Sequence, residues 1–422
     1  MPQPPLIKPI TIQNLVLPQK VEMPNGVSLY AIQGAASEVV RLDILLSGGY
    51  GVQDYPLQAL FTNRMLREGC AKFSATEISR RLDSCGAWLE MYSSHNCNHI
   101  TLYTLHKYLD PLLEVLSSMI KEPLFPQRNL DVVCRNSKSY YKINSRKVDI
   151  VAQRHFESLL WGKAHPLGYI VRAEDYDAVT REKLIDYYSK VYSSCNATIF
   201  LSGKVDDYTV DAIAKRFGNE NWGSLNKQPF VSMKDHCTET GRHNVKIDGT
   251  LQSAVRIGCM TMDSSHRDFM KMRFLTVLLG GFFGSRLMSN IREDKGYTYH
   301  IQAELDAFAN KNAFMISTEA ANEYIEPLIA EVYGEIERLR NELVSSEELE
   351  LVRNYTMGEL CREYEGIMAK SEVFINAWLS GEGFDSVNSY IDTVRSVTSE
   401  ELIDIARNYL DVGAMSEVVV GA

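Results

Sequence analysis

The sequence predicts an α+β fold that is built twice along one chain, and an internal repeat is the first reason. Residues 179–186 (VTREKLID) recur as residues 397–404 (VTSEELID), at an offset of 218 positions (397 − 179). Three further matches keep this order at nearly the same offset: Arg135-Asn136 with Arg353-Asn354, Gly203 with Gly421, and residues 108–113 with residues 324–329. Four matches in one order indicate an internal duplication.

The order of the predicted elements is the second reason. Alternating or β-rich segments predict strands at residues 39–46, 99–103 and 313–317. Capping boxes, formed by Ser74 with Glu77 and by Ser345 with Glu348, each begin a helix with apolar positions at helical spacing. Each half therefore reads as strands, helices, strands and more helices. That order is typical of an antiparallel-rich sheet packed on helices, and not of a regular parallel α/β fold.

Length and composition are those of an ordinary soluble globular protein. The chain has 422 residues, of which 45% are hydrophobic and 23% charged. This length predicts two to three domains. The repeat divides the chain into a domain at 1–220 and a second domain at 244–422. Residues 221–243, which are polar and contain WGSLN, are predicted to be a linker.

Charge and cysteine usage narrow the classes of partner. A formal net charge of −10 argues against nucleic acid and anionic membranes as partners. We find no apolar run of the ~18 residues that a membrane helix needs, and the N-terminus lacks the pattern of a signal peptide. The eight cysteines include no C-x-x-C pair. We therefore expect free thiols in a reducing compartment and a cytoplasmic location.

Several stretches resemble the pitrilysin/insulinase family of zinc peptidases, the inverzincins. The matching stretches keep the family's order and cover essentially the whole chain: residues 25–30, 65–70, 86–91, 165–168, 284–287 and 291–299. The resemblance implies two α/β-roll domains per chain. It also implies that two such chains close like a clamshell around a chamber that encloses a peptide.

The metal site of that family is missing from this sequence. Active members carry H-x-x-E-H, in which two histidines and a distant glutamate bind zinc and the glutamate between the histidines activates water. The matching residues here are Leu60, Asn63 and Arg64, and the distant position falls near Tyr141 in a stretch, 132–148, without any acid. None of these four side chains can take its family role, so we expect this chain to bind no zinc.

A replacement metal site is the alternative that the histidines leave open. His95, Cys97 and His99 lie in a segment (HNCNH) that is predicted to be a strand, where all three would share one face. The outer two would then stand about 13 Å apart, too far for one ion. An adjacent pair such as His95 and Cys97 stays open, but a packed or exposed polar strand face is the favoured interpretation.

A second family signature is intact. Arg292 and Tyr299 match, in type and spacing, the pair that reaches the scissile bond from across the chamber in the family. An arginine fork and a phenolic donor are suited to stabilise negative charge on a carbonyl oxygen. Gly284 and Ser285, in a glycine-rich approach to this segment, are predicted to contact substrate. Taken without the family, Arg292 would cap a helix or pair with an acid, and Tyr299 would be a core residue.

The sequence thus favours a non-zinc-binding subunit of a heterodimeric metallopeptidase. Its partner would be a homologous chain that carries H-x-x-E-H and zinc, and its substrate a peptide. The alternative is a catalytically inactive homologue that serves as a scaffold or as a peptide-binding homodimer. A metal-independent hydrolase is disfavoured, because neither a G-x-S-x-G elbow nor an activated cysteine is visible.

Overall fold

The computed structural model describes residues 10, 12–34, 38–228, 239–308 and 311–421. Two compact units are present: Leu17–Cys237, and Thr238–Ala422 together with Met1–Val16. Within the predicted linker, Trp222 is buried and a strand begins at Gly241, while residues 229–238 lie outside the described residues. None of the helices in the described ranges is long and apolar enough to cross a membrane.

The first unit contains a six-stranded sheet. Its strands are β1 (Gln19–Glu22), β2 (Ser28–Gln33), β3 (Val39–Ser47), β4 (Trp88–Ser93), β5 (Cys97–Leu105) and β6 (Ala197–Gly203). They lie in the order β1-β2-β6-β3-β5-β4, in which only the β2–β6 pair is parallel among the described strands. Strands β1 and β4 are therefore the edges of this sheet.

Helices cover the apolar face of that sheet. They are α1 (Gln58–Met65), α2 (Ala75–Ser84), α3 (Leu109–Lys121), α4 (Gln127–Asn144), α5 (Val148–Trp161), α6 (Ala173–Asp177), α7 (Arg181–Val191) and α8 (Asp207–Ile213). Strand alternation places Leu42 and Ile44 in the core with Leu113 and Leu184, whereas the intervening Asp43 forms a buried ion pair on the other face.

The second unit repeats this plan. Its strands are β7 (Gly241–Lys246), β8 (Gln252–Thr261), β9 (Thr298–Phe308), β10 (Lys311–Ala321) and β11 (Ser416–Gly421), in the order β7-β11-β8-β10-β9. Its helices are α9 (Phe269–Gly280), α10 (Ile325–Asn341), α11 (Ser346–Glu363), α12 (Ile367–Leu379), α13 (Asp385–Ser396) and α14 (Ser399–Tyr409). The β7–β11 pair is parallel, as β2–β6 is in the first unit.

The predicted α+β class and the duplication are confirmed. The repeated octapeptides form the starts of α7 and α14, which have the same length of 11 residues. Thr180 and Thr398 cap these two helices by the same bond, in which the backbone N–H three residues later donates to the threonine hydroxyl oxygen. The local sequence therefore encodes the same helix start in both halves.

One of the two predicted capping boxes is complete and the other is not. Ser74 and Glu77 exchange both bonds at the start of α2. At the start of α11, Ser345 accepts from the N–H of Glu348, but the Glu348 carboxylate binds the Arg286 guanidinium through two bonds of 2.7 and 2.8 Å. A charged bidentate pair outcompetes a second cap bond, so the prediction of a reciprocal box there was wrong.

Candidate functional site

Helix α1 matches the helix that carries zinc ligands in the family that this chain resembles, and here its contacts are structural. Asn63 lies on α1 with its side chain 1% exposed, and its Nδ2 donates to the backbone oxygens of Tyr92 (2.7 Å) and His99 (3.2 Å). These two acceptors belong to the facing strands β4 and β5. Asn63, at the position of the family's catalytic base, therefore joins α1 to the β4–β5 hairpin. The N–H donors of its amide point into the protein.

The other three degenerate positions have contacts that do not suit a metal. Leu60 is exposed on α1, and the Arg64 guanidinium donates to Ser137 Oγ on α4 at 3.1 Å. Tyr141, one turn further along α4, packs its ring at 5.3 Å from that of Tyr176. The Arg154 guanidinium lies 5.2 Å from the centre of the Tyr141 ring. An aromatic–cation cluster thus occupies the position of the distant ligand.

These residues do not fit a zinc ion. An aliphatic side chain has no donor atom, a guanidinium repels a cation, and the amide of Asn63 is already committed to backbone oxygens. Over the described ranges, no group of three or more His, Cys, Asp or Glu side chains stands close enough to hold a metal ion. The seven described cysteines are free, and Cys237 lies outside the described residues.

The predicted strand placement of His95 was wrong. Strand β4 ends at Ser93 and β5 begins at Cys97, so His95 lies in the turn between them. The reason is a backbone exchange with the loop after β3, in which Tyr50 N donates to Ser94 O and Gly51 N to His95 O. The turn places the His95 ring against that of His165, with ring centres 5.9 Å apart.

His95 is buried in an aromatic pocket. Its ring also meets Tyr50 edge-on at 5.7 Å, and His165 in turn stacks on Trp161. Both ring nitrogens of His95 lack a hydrogen-bond partner among the described residues. Burial, with a smaller contribution from nearby His165, lowers the pKa of His95 to about 3, and burial lowers the pKa of His99 to about 4. Both imidazoles are therefore neutral in the folded protein at neutral pH.

This burial predicts acid sensitivity of the fold. Unfolding returns both histidines to an ordinary pKa of 6.5, so the unfolded chain binds more protons than the folded one below that value. Their contribution is fully present above pH 6.5 and is lost as pH falls toward the folded pKa values. We expect the free energy of unfolding to fall by roughly 2 kcal/mol per histidine between about pH 7 and pH 5. Urea unfolding at both pH values measures this.

A phenylalanine at position 95 should remove part of that pH dependence. The matched control is His300→Phe, because His300 is exposed on β9. An unchanged pH slope in His95→Phe, or an equal change in the control, would contradict the assignment.

Arg292 lies in a π-helical segment, Met288–Asp294, that packs against β9. Its guanidinium stands 4.6 Å from the centre of the Phe283 ring. No acid pairs with it among the described residues, in contrast to the neighbouring Lys295, which contacts Glu331. Gly296 follows two residues after the segment, and its φ of 67° is the left-handed conformation that glycine tolerates best. Arg292 is thus held by an aromatic ring with its N–H donors unspent. π-Helical turns are frequent at functional sites.

Tyr299 lies in a β-bulge. Thr298 pairs with Ala320 and Ile301 with Thr318, so two residues of β9 oppose one residue of β10. Two threonine hydroxyls fix the irregular backbone: Thr298 Oγ1 donates to Glu319 O at 2.6 Å, and Thr318 Oγ1 donates to His300 O at 2.8 Å. The Tyr299 side chain is 89% exposed. Bulges of this kind re-aim a side chain, which accounts for a large aromatic residue that faces solvent.

The two predicted substrate contacts, Gly284 and Ser285, lie in the glycine-rich stretch before this segment and differ in exposure. Gly284 is exposed, and a Cβ there would come within 2.9 Å of the Phe282 ring. Ser285 is buried, and its hydroxyl has no partner among the described residues. Phe283, which the sequence did not single out, is the residue that positions Arg292. The only sequence signal for it was its place in the GGFFG run.

Comparison with known proteins identifies the family of this chain. The profile described as the peptidase M16 inactive domain matches residues 178–355. A protein of Rickettsia bellii named uncharacterized zinc protease is 22% identical over 86% of this chain and 87% of its own. The chain belongs to the peptidase M16 (pitrilysin) family. A relative from Helicobacter pylori, named non-peptidase homolog YmxG, is 21% identical over 85% of this chain and 82% of its own length.

Solved structures share the fold. A structure from Pseudomonas fluorescens, described as a peptidase M16 inactive domain, matches with a TM-score of 0.85 at 17% identity, over 96% of this chain and 98% of that one. A chain of complex III2 from Candida albicans matches with a TM-score of 0.76 at 12% identity, over 96% and 95%. The alpha-1 subunit of the mitochondrial-processing peptidase of Dictyostelium discoideum is 26% identical over 47% of this M16 chain and 31% of its own.

Proposed function

We propose that this M16 chain is the non-zinc-binding subunit of a heterodimeric metallopeptidase. In this role it provides half of a chamber that encloses a peptide. Arg292 and Tyr299 act in trans at a zinc site that the partner subunit supplies. The partner is a homologous chain with an H-x-x-E-H motif, and the pair works in the cytoplasm. The cysteine usage, without a C-x-x-C pair, supports that location.

The observation that carries the proposal is a contrast between the two units. In the first, Asn63 matches the family's base and Arg64 a zinc ligand, and their side chains donate hydrogen bonds to Tyr92, His99 and Ser137. In the second, the Arg292 guanidinium and the Tyr299 hydroxyl make no hydrogen bond within the described residues. These two donors lie beside a β-bulge and a π-helical turn. Because no hydrogen bond within the described chain uses them, they are suited to stabilise negative charge that develops during a reaction.

The chemical role follows from the residue types. Hydrolysis of a peptide bond builds negative charge on the carbonyl oxygen. A fixed cationic fork and a phenolic O–H stabilise that charge most when they need no rearrangement. Edge strand β4 supports peptide binding, because β5 is its single neighbour in the sheet order of the described strands and its exposed Trp88 and Tyr92 offer apolar contacts. The Dictyostelium relative is itself named as the subunit of a peptidase.

Co-expression with an M16 chain that carries H-x-x-E-H tests the proposal. We expect this chain alone to purify without stoichiometric zinc and to leave peptides intact. We expect the pair to contain one zinc ion per heterodimer and to hydrolyse a peptide faster than the partner alone. Zinc analysis and peptide hydrolysis on each chain and on the mixture measure this. Stoichiometric zinc in the isolated chain, or a partner whose activity is unaffected, would contradict it.

A second function, a scaffold or peptide-binding homodimer without chemistry, is favoured by one observation. The H. pylori relative is named a non-peptidase homolog. This function predicts peptide binding without turnover in every combination of chains. Sedimentation of the isolated chain, followed by the same hydrolysis assay, separates the two functions.

A further inference from the structure

An arginine-lined groove lies on the surface of the first unit. It forms between the end of α1, α2 and the first half of α4, and its volume is about 680 Å³. Arg64 and Arg67 line it from α1 and the 3₁₀ turn that follows, and Arg128 lines it from α4. We call this cavity, with these three residues, the arginine groove.

The positive charge of the arginine groove is largely uncompensated. All three arginines are exposed, and within the described residues none of them forms an ion pair. The single acid in the lining is Glu68, and its Oε2 accepts from Asn129 Nδ2 at 2.9 Å. Three arginines and one glutamate leave a local charge of about +2, in a chain whose net charge is −10. Unpaired guanidiniums that share one concavity are a strong electrostatic attraction for anions.

The rest of the lining identifies the kind of anion. Val132 is 43% exposed, and together with Val133 it gives the groove an apolar strip on α4. Asn136 adds a side-chain amide one turn further along the same face, where it can donate to and accept from a peptide group. A free phosphate would use the guanidiniums only. A peptide segment uses all three features.

We propose that the arginine groove binds an acidic peptide segment, with carboxylates on the guanidiniums and an apolar side chain on the valine strip. Arg64 occupies a position that holds a zinc ligand in active relatives. In this proposal its guanidinium takes the place of the bound zinc cation and attracts an anionic group of the peptide. The assignment does not rest on the proposed heterodimer, because it concerns this chain alone and involves no hydrolysis.

Fluorescence anisotropy with the purified chain tests the proposal. The probe is a short fluorescein-labelled peptide of alternating glutamate and valine, and the reference is the same peptide with glutamine for glutamate. We expect the glutamate peptide to bind at least tenfold more tightly than the reference, and more weakly as salt is raised. Arg67→Gln and Arg128→Gln should each weaken it by about tenfold, since each loses a charge-assisted hydrogen bond.

The matched control is Arg146→Gln, which removes the same charge from an exposed position just after α4, outside the groove. We expect it to bind as the unmodified chain does. Three results would overturn the proposal: equal binding of the glutamine peptide, equal weakening by the control, or no binding at millimolar peptide. Displacement by micromolar inorganic phosphate would overturn the assignment to a peptide in favour of a phosphate ligand. Thermal unfolding of each variant ensures that the folded proteins are compared.

Discussion

Arg292→Ala in the reconstituted heterodimer is expected to lower kcat by about 100-fold to 1,000-fold, the usual effect of removing one preplaced oxyanion donor. KM should change little, since the guanidinium would act on charge that exists only in the transition state. The structural basis is that Arg292 stacks on Phe283 and has no acid partner among the described residues. Its charge is therefore available to a reacting group without breaking an internal bond.

Two further variants separate charge from geometry. Arg292→Lys keeps the charge but loses the planar fork, and we expect an intermediate loss of about tenfold. Tyr299→Phe removes a donor that is presented on a bulge, and we expect a loss of about tenfold or more. Arg267→Ala and Tyr208→Phe are matched controls, because both residues are exposed and lie outside the π-helical segment and β9. Unchanged peptidase activity in the Arg292→Ala/Tyr299→Phe double variant would refute the catalytic role.

Asn63→Asp is expected to lower the free energy of unfolding by about 3 kcal/mol. The two oxygens that now accept from Nδ2, on Tyr92 and His99, would each face a carboxylate oxygen in a site that excludes water. The loss of two donors and the burial of a charge act in the same direction. Urea unfolding at neutral pH measures the change.

The substitution also carries an internal check. A buried carboxylate without donors has a raised pKa, so the folded variant takes up a proton more readily than the unfolded chain does. Protonation restores one donor, and the deficit relative to the unmodified protein should shrink as the pH is lowered toward 5. Leu60→Asn is the matched control on the same helix, since Leu60 is exposed, and we expect a change within about 0.5 kcal/mol. An equal loss of unfolding free energy in both variants would contradict the prediction. It would show that α1 is sensitive to any substitution and that the hydrogen bonds of the Asn63 amide are not the cause.

Local signals in the sequence were enough for much of the fold. The octapeptide repeat predicted two equivalent helices, because a threonine cap and its helical stripe are encoded within a few residues. The alternation of residues 39–46 predicted β3 for the same reason. The mismatch at the two zinc-ligand positions, Leu60 and Arg64, and at the base position, Asn63, also needed no structure, since the capacity of a side chain to coordinate a metal or to accept a proton is a property of its atoms.

Features that depend on distant partners were beyond local reasoning. The turn at His95 arises from backbone bonds to the loop after β3, more than 40 residues earlier. Glu348 leaves its capping box for Arg286, 62 residues away. The arginine groove brings together side chains from α1 and α4 that no local motif connects.

The sequence by itself determined the duplicated α+β plan, the helix starts and the loss of the metal ligands, because each of these depends on residue type and short-range spacing. Only the tertiary structure decided what the surviving residues do. It assigned Asn63 to two strand carbonyls, set Tyr299 in a bulge and left Arg292 against Phe283 without an acid partner in the described chain. The physical reason is that hydrogen bonds and charges are allotted by competition among groups that meet only after folding.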